Sequence, residues 1–598
     1  MKRLKGFKNR TLSSFTVGMN QRPIVMTILM LLGINFAFLL VAAIAAMFVS
    51  QDGYATFFHA FADVFSFLVI PASVAGIEDT GMLVLGTIVV VVGMLLFTGI
   101  IIALVTTTLR DYLTSKGGAK GKLNISGHIV ILRYNNEVPA ILTDLMNSCE
   151  KPTVLILSDR PREEVRADLM ARISSMEKPP KGRIKLLVRQ GDPASINELE
   201  EIGIEYAKGL LVMNDRRSGS EDISSADFNG VLKIVLKMAH FNFEQGFPIG
   251  VETSTQDAAD IMRGLKQNIE GLADKDIQFF SHNKKLGQSL AFAVICPDLF
   301  SVVRDVLSAK GCTFYSVPVE TRENVLSNFA SALPTICFED RMFVLADGVE
   351  SATRQRGKPF VTDRVLKPIV GKPYMPKKLF VIGENKKLRY MLEALEIDGK
   401  DIEIKKYPMD DVEKFVTDLK KHGDESTVAV VLSDESVDED NYDGNVFQTL
   451  IEISHEIGIK DRKFRIVAEI LDPENQKSLE KFNVQSIVVC TEIVSHFASK
   501  LLKDSRAERF YEEIFSYCSK YINMRVRDAG ALFGITQAEK FSGRAEFVHA
   551  VYNGSGKKIM PIGMMCGDKR VFFCCDLSDE NEFVIKPECK IIFAELLV

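Results

Sequence analysis

Ile24 to Ser50 (27 residues) and Gly81 to Leu109 (29 residues) contain no charged side chain. About 20 apolar residues in a helix cross a bilayer core, and a soluble helix of such length normally keeps a polar face. The two runs therefore predict two membrane-spanning helices, 24–50 and 81–109, with the bulk of the chain in water beyond them. A cleaved leader does not fit the first run, which is too long and offers no clear cleavage site.

The flanks set an orientation. Residues 1–23 carry Lys2, Arg3, Lys5, Lys8, Arg10 and Arg22 and no acid; residues 110–122 carry Arg110, Lys116, Lys120 and Lys122 against Asp111. The intervening loop, 51–80, has no Lys or Arg and holds Asp52, Asp63, Glu78 and Asp79. Basic flanks stay on the cytosolic side, so both termini are expected inside and the acidic loop outside. Tyr54 to Ile70 in that loop is as apolar as a spanning helix but too short to cross. A short apolar helix between two spans is the pattern of a re-entrant pore helix. Small residues follow it, Ala72, Ser73, Val74, Ala75 and Gly76, and these are the filter candidates, since small side chains let backbone carbonyls face an ion. The competing reading is an interfacial helix and a plain loop. Gly93 and Gly99 in the second run are candidate gating hinges, with close helix packing as the alternative.

Charge excludes one partner class. The segment up to Lys122 has a net charge of +5, the remainder −10, and neither offers the basic stripe that nucleic acid needs. The ten cysteines all lie from Cys149 onward with irregular spacing, apart from adjacent Cys574 and Cys575. They are expected to be reduced, buried thiols without zinc-type pairing.

Beyond a Gly/Lys-rich linker (110–126) the sequence repeats. His128 to Leu132 reads as a buried strand, followed by a turn at Asn135-Asn136 and a helix from about Glu137. Lys378 to Ile382, Glu384-Asn385 and the helix from Lys387 repeat it 250 positions later. Leu210 to Asp215 matches Val430 to Glu435, and Gly250-Val251-Glu252 matches Val467-Ala468-Glu469. Short apolar strands alternating with helices imply parallel α/β units. The expected architecture is an α-helical two-span pore domain followed by two tandem Rossmann-like domains, 127–368 and 369–598. Each ends in a small α+β lobe, at about 286–368 and 501–598. A dinucleotide fingerprint needs glycines at the first turn. The first repeat has Arg133, Asn135 and Val138 there, and the second Gly383, Asn385 and Leu388. Asp159 is placed to hold a ribose, but the phosphate cradle is missing, so NAD is not expected.

Gly191-Asp192-Pro193-Ala194, Leu199 to Glu205 and Ala207-Lys208-Gly209 resemble the glycine–aspartate and glycine–isoleucine stretch of RCK domains. Arg189 to Pro193, Val251-Glu252, His282 with Gly287, Val467 to Asp472, Glu492 to Ser495 and Phe510 to Phe515 resemble the CASTOR/POLLUX ion-channel family more closely. The resemblance runs from about residue 80 to the end. It implies a homotetrameric cation channel, with paired RCK domains forming a calcium-responsive gating ring. The short basic N-terminus looks like that of a bacterial member in the plasma (inner) membrane. Ala72 to Asp79 reads ASVAGIED and aligns with neither the family's A-D-x-G-N-H nor the potassium-channel T-V-G-Y-G, so ion selectivity does not carry over.

Calcium takes six to eight oxygens. The candidates are Asp434, Glu435 and Asp438 in the acidic run after a strand end and Glu469 at the next strand end, with Asp215 and Glu252 as first-repeat counterparts. A solvated acidic loop is the competing reading. No EF-hand spacing fits, because the twelfth position is Leu450. No nucleophile elbow, Walker lysine loop or HExxH appears, so no enzyme is expected. The expected protein is a ligand-gated cation channel passing monovalent cations through a lipid bilayer. The alternatives are a non-conducting membrane sensor or transport regulator and a membrane-tethered NAD(P)-dependent oxidoreductase.

Overall fold

The computed structural model describes residues 23–597 apart from 51–52, 96–121, 148–150, 176–182, 215–222, 309–310, 319–324, 339–340, 357, 359, 372–374, 399–400, 435–441, 505, 517–518, 568, 576 and 578–580. The chain divides into two units, Met1–Lys120 and Gly121–Val598.

In the first unit the first uncharged run is a helix, Pro23–Val49, of 27 residues. At 1.5 Å per residue it is about 40 Å long. The expected re-entrant segment is a helix, Phe57–Val69, and residues 80–95 are helical. Leu39, Ala42, Ala46, Ala60, Val64, Phe67, Val74, Met82 and Val89 close a small core among them. The side chains of residues 23–32 lie outside the described set, and the second helix is described only to Leu95. Counted over described residues, no helix is long and apolar enough to cross a membrane. The expected pair of spans at 24–50 and 81–109 is therefore not shown as a pair.

The second unit holds two parallel sheets. The first has β1 (Ile129–Leu132), β2 (Thr153–Ser158), β3 (Lys185–Gln190), β4 (Gly209–Val212), β5 (Ile249–Thr253) and β6 (Ile277–Ser281), in the order β3-β2-β1-β4-β5-β6. After it comes a small antiparallel lobe, β7 (Thr313–Pro318), β8 (Ala332–Phe338) and β9 (Arg341–Ala346). The second parallel sheet has β10 (Lys378–Ile382), β11 (Glu403–Tyr407), β12 (Thr427–Val431), β13 (Arg465–Ile470) and β14 (Ser486–Val489), in the order β11-β10-β12-β13-β14. Central strands such as β1, β4 and β12 are buried at every position. Helices therefore cover both faces, which is why these strands read as unbroken apolar runs. The tandem Rossmann-like reading holds, with one strand fewer in the second copy.

Strand register aligns the two halves residue by residue. Leu132 pairs with Val212, and Ile382 with Val431. Asn214 therefore corresponds to Ser433, and Asp215 to Asp434. The sequence reading had this strand one residue out of step; with a side-chain period of two, a single-residue shift moves each side chain to the other face.

The halves exchange helices. The helix leaving β6, His282–Ile295, packs on the helix leaving β10, Lys386–Asp398. The helix leaving β14, Cys490–Leu501, packs on the helix leaving β1, Val138–Asn147. One apolar core runs through Ile141, Leu290, Met391, Phe497 and Phe510, joining both halves to the C-terminal lobe. That lobe contains β15 (Ile522–Asp528), β16 (Glu539–Phe541), β17 (Ile559–Cys566), β18 (Lys569–Phe572), β19 (Phe583–Ile585) and β20 (Lys590–Leu596). Phe343 of the first lobe stacks on Phe510 at 4.0 Å between ring centroids.

The cysteine expectation needs correction. Cys566 and Cys589 form a disulfide. Cys312 Sγ also lies 2.8 Å from Cys575 Sγ and 3.2 Å from Cys574 Sγ, bringing three thiols together from two lobes. Linear spacing conceals both groupings, since positions 312 and 574 meet only when the lobes pack.

Candidate functional site

In each half the crevice lies at the C-terminal edge of the sheet, where open α/β sheets bind ligands. Its floor is a repeated motif. The turn after β1 passes through Arg133 in the left-handed region (φ 71°), and its counterpart after β10 is Gly383 (φ 98°). Two residues on, an asparagine closes the turn. Asn135 Nδ2 donates to Asn214 O (3.0 Å) and to Glu252 Oε2 (3.0 Å). Asn385 Nδ2 donates to Ser433 O (3.1 Å) and to Glu469 Oε2 (2.8 Å). The same carboxylate oxygens accept from Asn214 N (3.0 Å) and Ser433 N (3.3 Å). Glu252 and Glu469 are thus buried structural hubs at the ends of β5 and β13, each 0% exposed, with Oε2 committed to its own sheet.

The asparagines also cap the helices that follow. Asn135 Oδ1 accepts from Glu137 N (3.2 Å), and Asn385 Oδ1 accepts from Lys387 N (3.1 Å) and Leu388 N (3.2 Å). In dinucleotide-binding sheets such amides hold a pyrophosphate. Here side chains occupy them, which agrees with the missing glycines.

The other carboxylate oxygen distinguishes the halves. In the second half Glu469 Oε1 is in ion-pair contact with Lys387 Nζ and accepts from Cys490 Sγ at 3.0 Å. In the first half Glu252 Oε1 lies 3.4 Å from His282 Nδ1, and Glu137 Oε1 lies 3.7 Å from the same nitrogen. Register makes Glu137 the counterpart of Lys387 and His282 that of Cys490. Glu137 (0% exposed), Glu252 (0%) and His282 (3%) place one ligand atom each within 4.8 Å of one another. Neither Glu137 nor Lys387 was singled out as a site residue from sequence. The available signal was the change of charge at two positions 250 apart in otherwise matching turns.

The predicted site residues fall as follows. Ala72 to Gly76 lie in a 3₁₀ turn, Pro71–Gly76, with Val74 buried. Gly93 lies in the second helix, where a Cβ would meet the Leu68 side chain, a close-packing contact; Gly99 lies outside the described residues. Asp434 accepts from Asn445 Nδ2 at 3.0 Å. Glu435, Asp438 and Asp215 lie outside the described residues. Asp443, from the same acidic run, is occupied in shaping the loop after β13. It accepts from Leu471 N (2.8 Å), Asp472 N (3.1 Å) and Asn475 Nδ2 (2.7 Å), and burial pushes its carboxyl up. Asp159 is exposed just past the end of β2. The structure therefore brings Glu252 together with Glu137 and His282, and Glu469 with Lys387 and Cys490.

No family model matches the chain. A curated Arabidopsis thaliana protein described as a probable ion channel, POLLUX, is 22% identical over 251 residues, which is 40% of this chain. The chain matches 28% of that relative's length. Among solved structures, the human SLO3 gating ring aligns with 79% of this chain and 99% of its own, at 9% identity and a TM-score of 0.54. That likeness shows the fold. A GsuK channel bound to NAD aligns over 96% of this chain and 97% of its own, at 13% identity and a TM-score of 0.41, too loose to carry an argument. The second unit is thus similar in fold to a channel gating ring, and the chain is similar in part of its sequence to a protein described as an ion channel.

Proposed function

We propose that the chain is a subunit of a ligand-gated cation channel of the CASTOR/POLLUX type, in which the tandem α/β halves form the gating ring. The observation that carries this reading is the tandem fold itself. Two parallel sheets with exchanged helices are similar in fold to the human SLO3 gating ring over 99% of that ring, and in this chain they follow two uncharged runs of 27 and 29 residues. Four copies around an axis would bring four linkers, 110–126, to one pore. The expected setting is a plasma or inner bilayer with both termini in the cytosol and Asp52 and Asp79 outside, and the expected cargo is a monovalent cation.

A ligand gates such a ring only through different affinity for its two states. Calcium in the crevices is the first candidate. In the second crevice Glu469 has Lys387 as its partner, and in the first Glu252 faces His282. NAD ranks below calcium, because the helix N-terminal amides are capped by Asn135 and Asn385.

The test is single-channel recording of the purified full chain in a planar bilayer, with potassium and then sodium, with and without calcium. Currents that Gly76→Asp abolishes or re-selects support a pore lined by Ala72 to Gly76, since a carboxylate at a position without a Cβ crowds a filter and traps cations. A second reading, a non-conducting membrane sensor, is favoured by one observation: the filter stretch is a 3₁₀ turn matching neither channel pattern. A silent bilayer with ligand-dependent melting of the protein would decide for it.

A further inference from the structure

We propose that Cys312, Cys574 and Cys575 form a three-sulfur binding site for one zinc ion, which ties the first small lobe to the C-terminal lobe.

Two independent observations lead there. The first is the donor set. The three Sγ atoms lie within 4.8 Å of one another, with Cys312 and Cys574 buried and Cys575 half-buried. Cys312 Sγ is 2.8 Å from Cys575 Sγ and 3.2 Å from Cys574 Sγ. Among the described residues the set is sulfur alone. Thiolates select zinc and copper(I), whereas calcium and magnesium take oxygen. Charge separates the first two. Three thiolates bring three negative charges to a largely buried place, and a divalent ion offsets one more of them than copper(I) does. The Arg544 guanidinium, which donates to Cys575 O, stands beside the remainder.

The second is the seam that holds the sulfurs. Cys312 directly precedes β7, and the helix Pro297–Leu307 leads to it. Cys574 and Cys575 lie just beyond β18. Arg570 of β18 reaches across to that helix. It donates to Ser301 O (3.2 Å) and Ser301 Oγ (2.7 Å) and is in ion-pair contact with Asp305. Lys590 of β20 pairs with Asp298 of the same helix. Both sulfur-bearing segments are therefore fixed against each other by contacts other than the thiols. Ligands already held by outer contacts bind an ion without the cost of bringing two lobes together.

The protons balance. Hydrogen bonds from Cys312 and from Cys574 hold Cys575 well below the usual thiol range, and Arg544 acts in the same direction. One sulfur is thus a thiolate before the ion arrives. The other two thiols each release a proton to solvent as zinc–sulfur bonds form, so affinity should rise with pH. Half-buried Cys575 marks the side from which the ion enters. The site does not depend on whether the chain conducts.

The experiment uses the full-length chain, reduced with a phosphine, stripped with a chelator and kept free of oxygen. Zinc, copper(I) and cadmium are titrated separately. Cadmium serves as a zinc analogue whose thiolate charge-transfer absorbance counts the sulfurs it binds, and melting temperature is read with each ion. The expected result is one cadmium per chain with the absorbance of three thiolates, displaced by zinc, and a rise in melting temperature with either ion. Cys312→Ser should weaken zinc binding by more than the ~10–100-fold that loss of an outer-shell partner costs. Cys566→Ser, which removes a thiol that the reductant frees from the disulfide, should bind as the parent does. If Cys312→Ser does not fold, Cys575→Ser, on the solvent side of the cluster, decides in its place. The proposal is overturned if cadmium binds without thiolate absorbance, if copper(I) alone binds, or if Cys312→Ser responds to zinc as the parent does. It also falls if the reduced chain binds neither zinc nor cadmium and air instead joins Cys312 to Cys575 in a disulfide.

Discussion

At the end of β13 the carboxylate of Glu469 meets a lysine of its own half; at the end of β5 the equivalent Glu252 meets His282 and, within 4.8 Å, a second carboxylate. The surrounding frame is the same in both. An asparagine closes the turn, a strand-end glutamate accepts from the neighbouring strand's continuation, and a helix from the other half covers the site. The difference teaches that one repeated fold can surround the same strand-end glutamate with a lysine and a thiol in one copy and with a carboxylate and an imidazole in the other.

The helix contacts differ in the same way. Gly287, on the exchanged helix of the first half, lies so close to its partner that a Cβ would be 2.5 Å from Tyr390 Cβ and 2.8 Å from Lys387 O. Its counterpart Ser495 instead donates to Glu137 O at 2.9 Å. Counted along the helices from their first residues, buried Lys500 falls where Phe292 does. Phe292 packs edge-on to Phe515. Lys500 Nζ donates to Thr313 Oγ1 at 2.5 Å, near the Asp144 carboxylate that bonds His496 Nδ1. One interface is apolar and close, the other polar and bonded.

The largest test of this contrast removes one charge from each half. Lys387→Ala leaves Glu469 buried without its cation and should cost about 3–5 kcal/mol, the range for breaking a buried pair. Glu137→Ala removes one of two carboxylates near a single imidazole and should cost less. Urea unfolding of both variants checks this, and equal losses would show that the halves are electrostatically alike.

Next comes the helix contact. Gly287→Ala should destabilise by about 1–3 kcal/mol, because two of its three nearest neighbours are backbone atoms that cannot swing away. Ser495→Ala should cost about 1 kcal/mol, one hydrogen bond. A tolerated Gly287→Ala would mean that the two interfaces adjust equally well.

Lys500 gives the pH test. Burial holds its ammonium down to about 7, with Lys503 pushing the same way and Asp144 opposing. Between pH 7 and the ordinary lysine value the unfolded chain binds this proton and the folded chain does not. Stability should therefore rise with pH there, by up to about 1.4 kcal/mol per pH unit, and flatten below pH 7 where both forms are protonated. The apolar replacement Lys500→Met, which imitates the Phe292 side, should lose that slope. A parent and variant with parallel pH profiles from 7 to 9 would contradict it.

The smallest effect lies in the turns. Gly383→Ala places a Cβ at φ 98°, 2.8 Å from Met409 Cε and 3.2 Å from Leu432 Cβ, and should cost about 1–2 kcal/mol. Arg133→Gly, at φ 71°, should be neutral or stabilise by less than about 1 kcal/mol. Thermal melts of the two variants read the difference directly.

Much of the frame was legible from residues alone. His128 to Leu132 and Lys378 to Ile382 announced a repeat, because strands covered on both faces must be apolar throughout. Gly250-Val251-Glu252 and Val467-Ala468-Glu469 marked the crevice ends. The acidic run from Asp434 left a ligand cluster and a solvated loop both open; of its described residues, Asp443 turns back to hold amides of the next loop and Asp434 bonds Asn445. The match of Leu210 to Val430 slipped by one residue because both segments are uniformly apolar and give no alternation to fix the phase. The disulfide Cys566–Cys589 carried no local signal, and adjacent Cys574 and Cys575 gave no hint of Cys312.

The sequence by itself determined the uncharged runs, the tandem α/β plan and the absence of a glycine cradle, since each follows from residue type along a short stretch. Only the tertiary structure decided which side chains surround each buried strand-end carboxylate. Glu137, Glu252 and His282 are separated by 115 and 30 positions, and Lys387 reaches Glu469 across 82. Their meeting is set by the register of parallel strands and by helices exchanged between halves. A buried charge depends on the few ångströms around it, and those are filled by residues that the order of the chain does not place side by side.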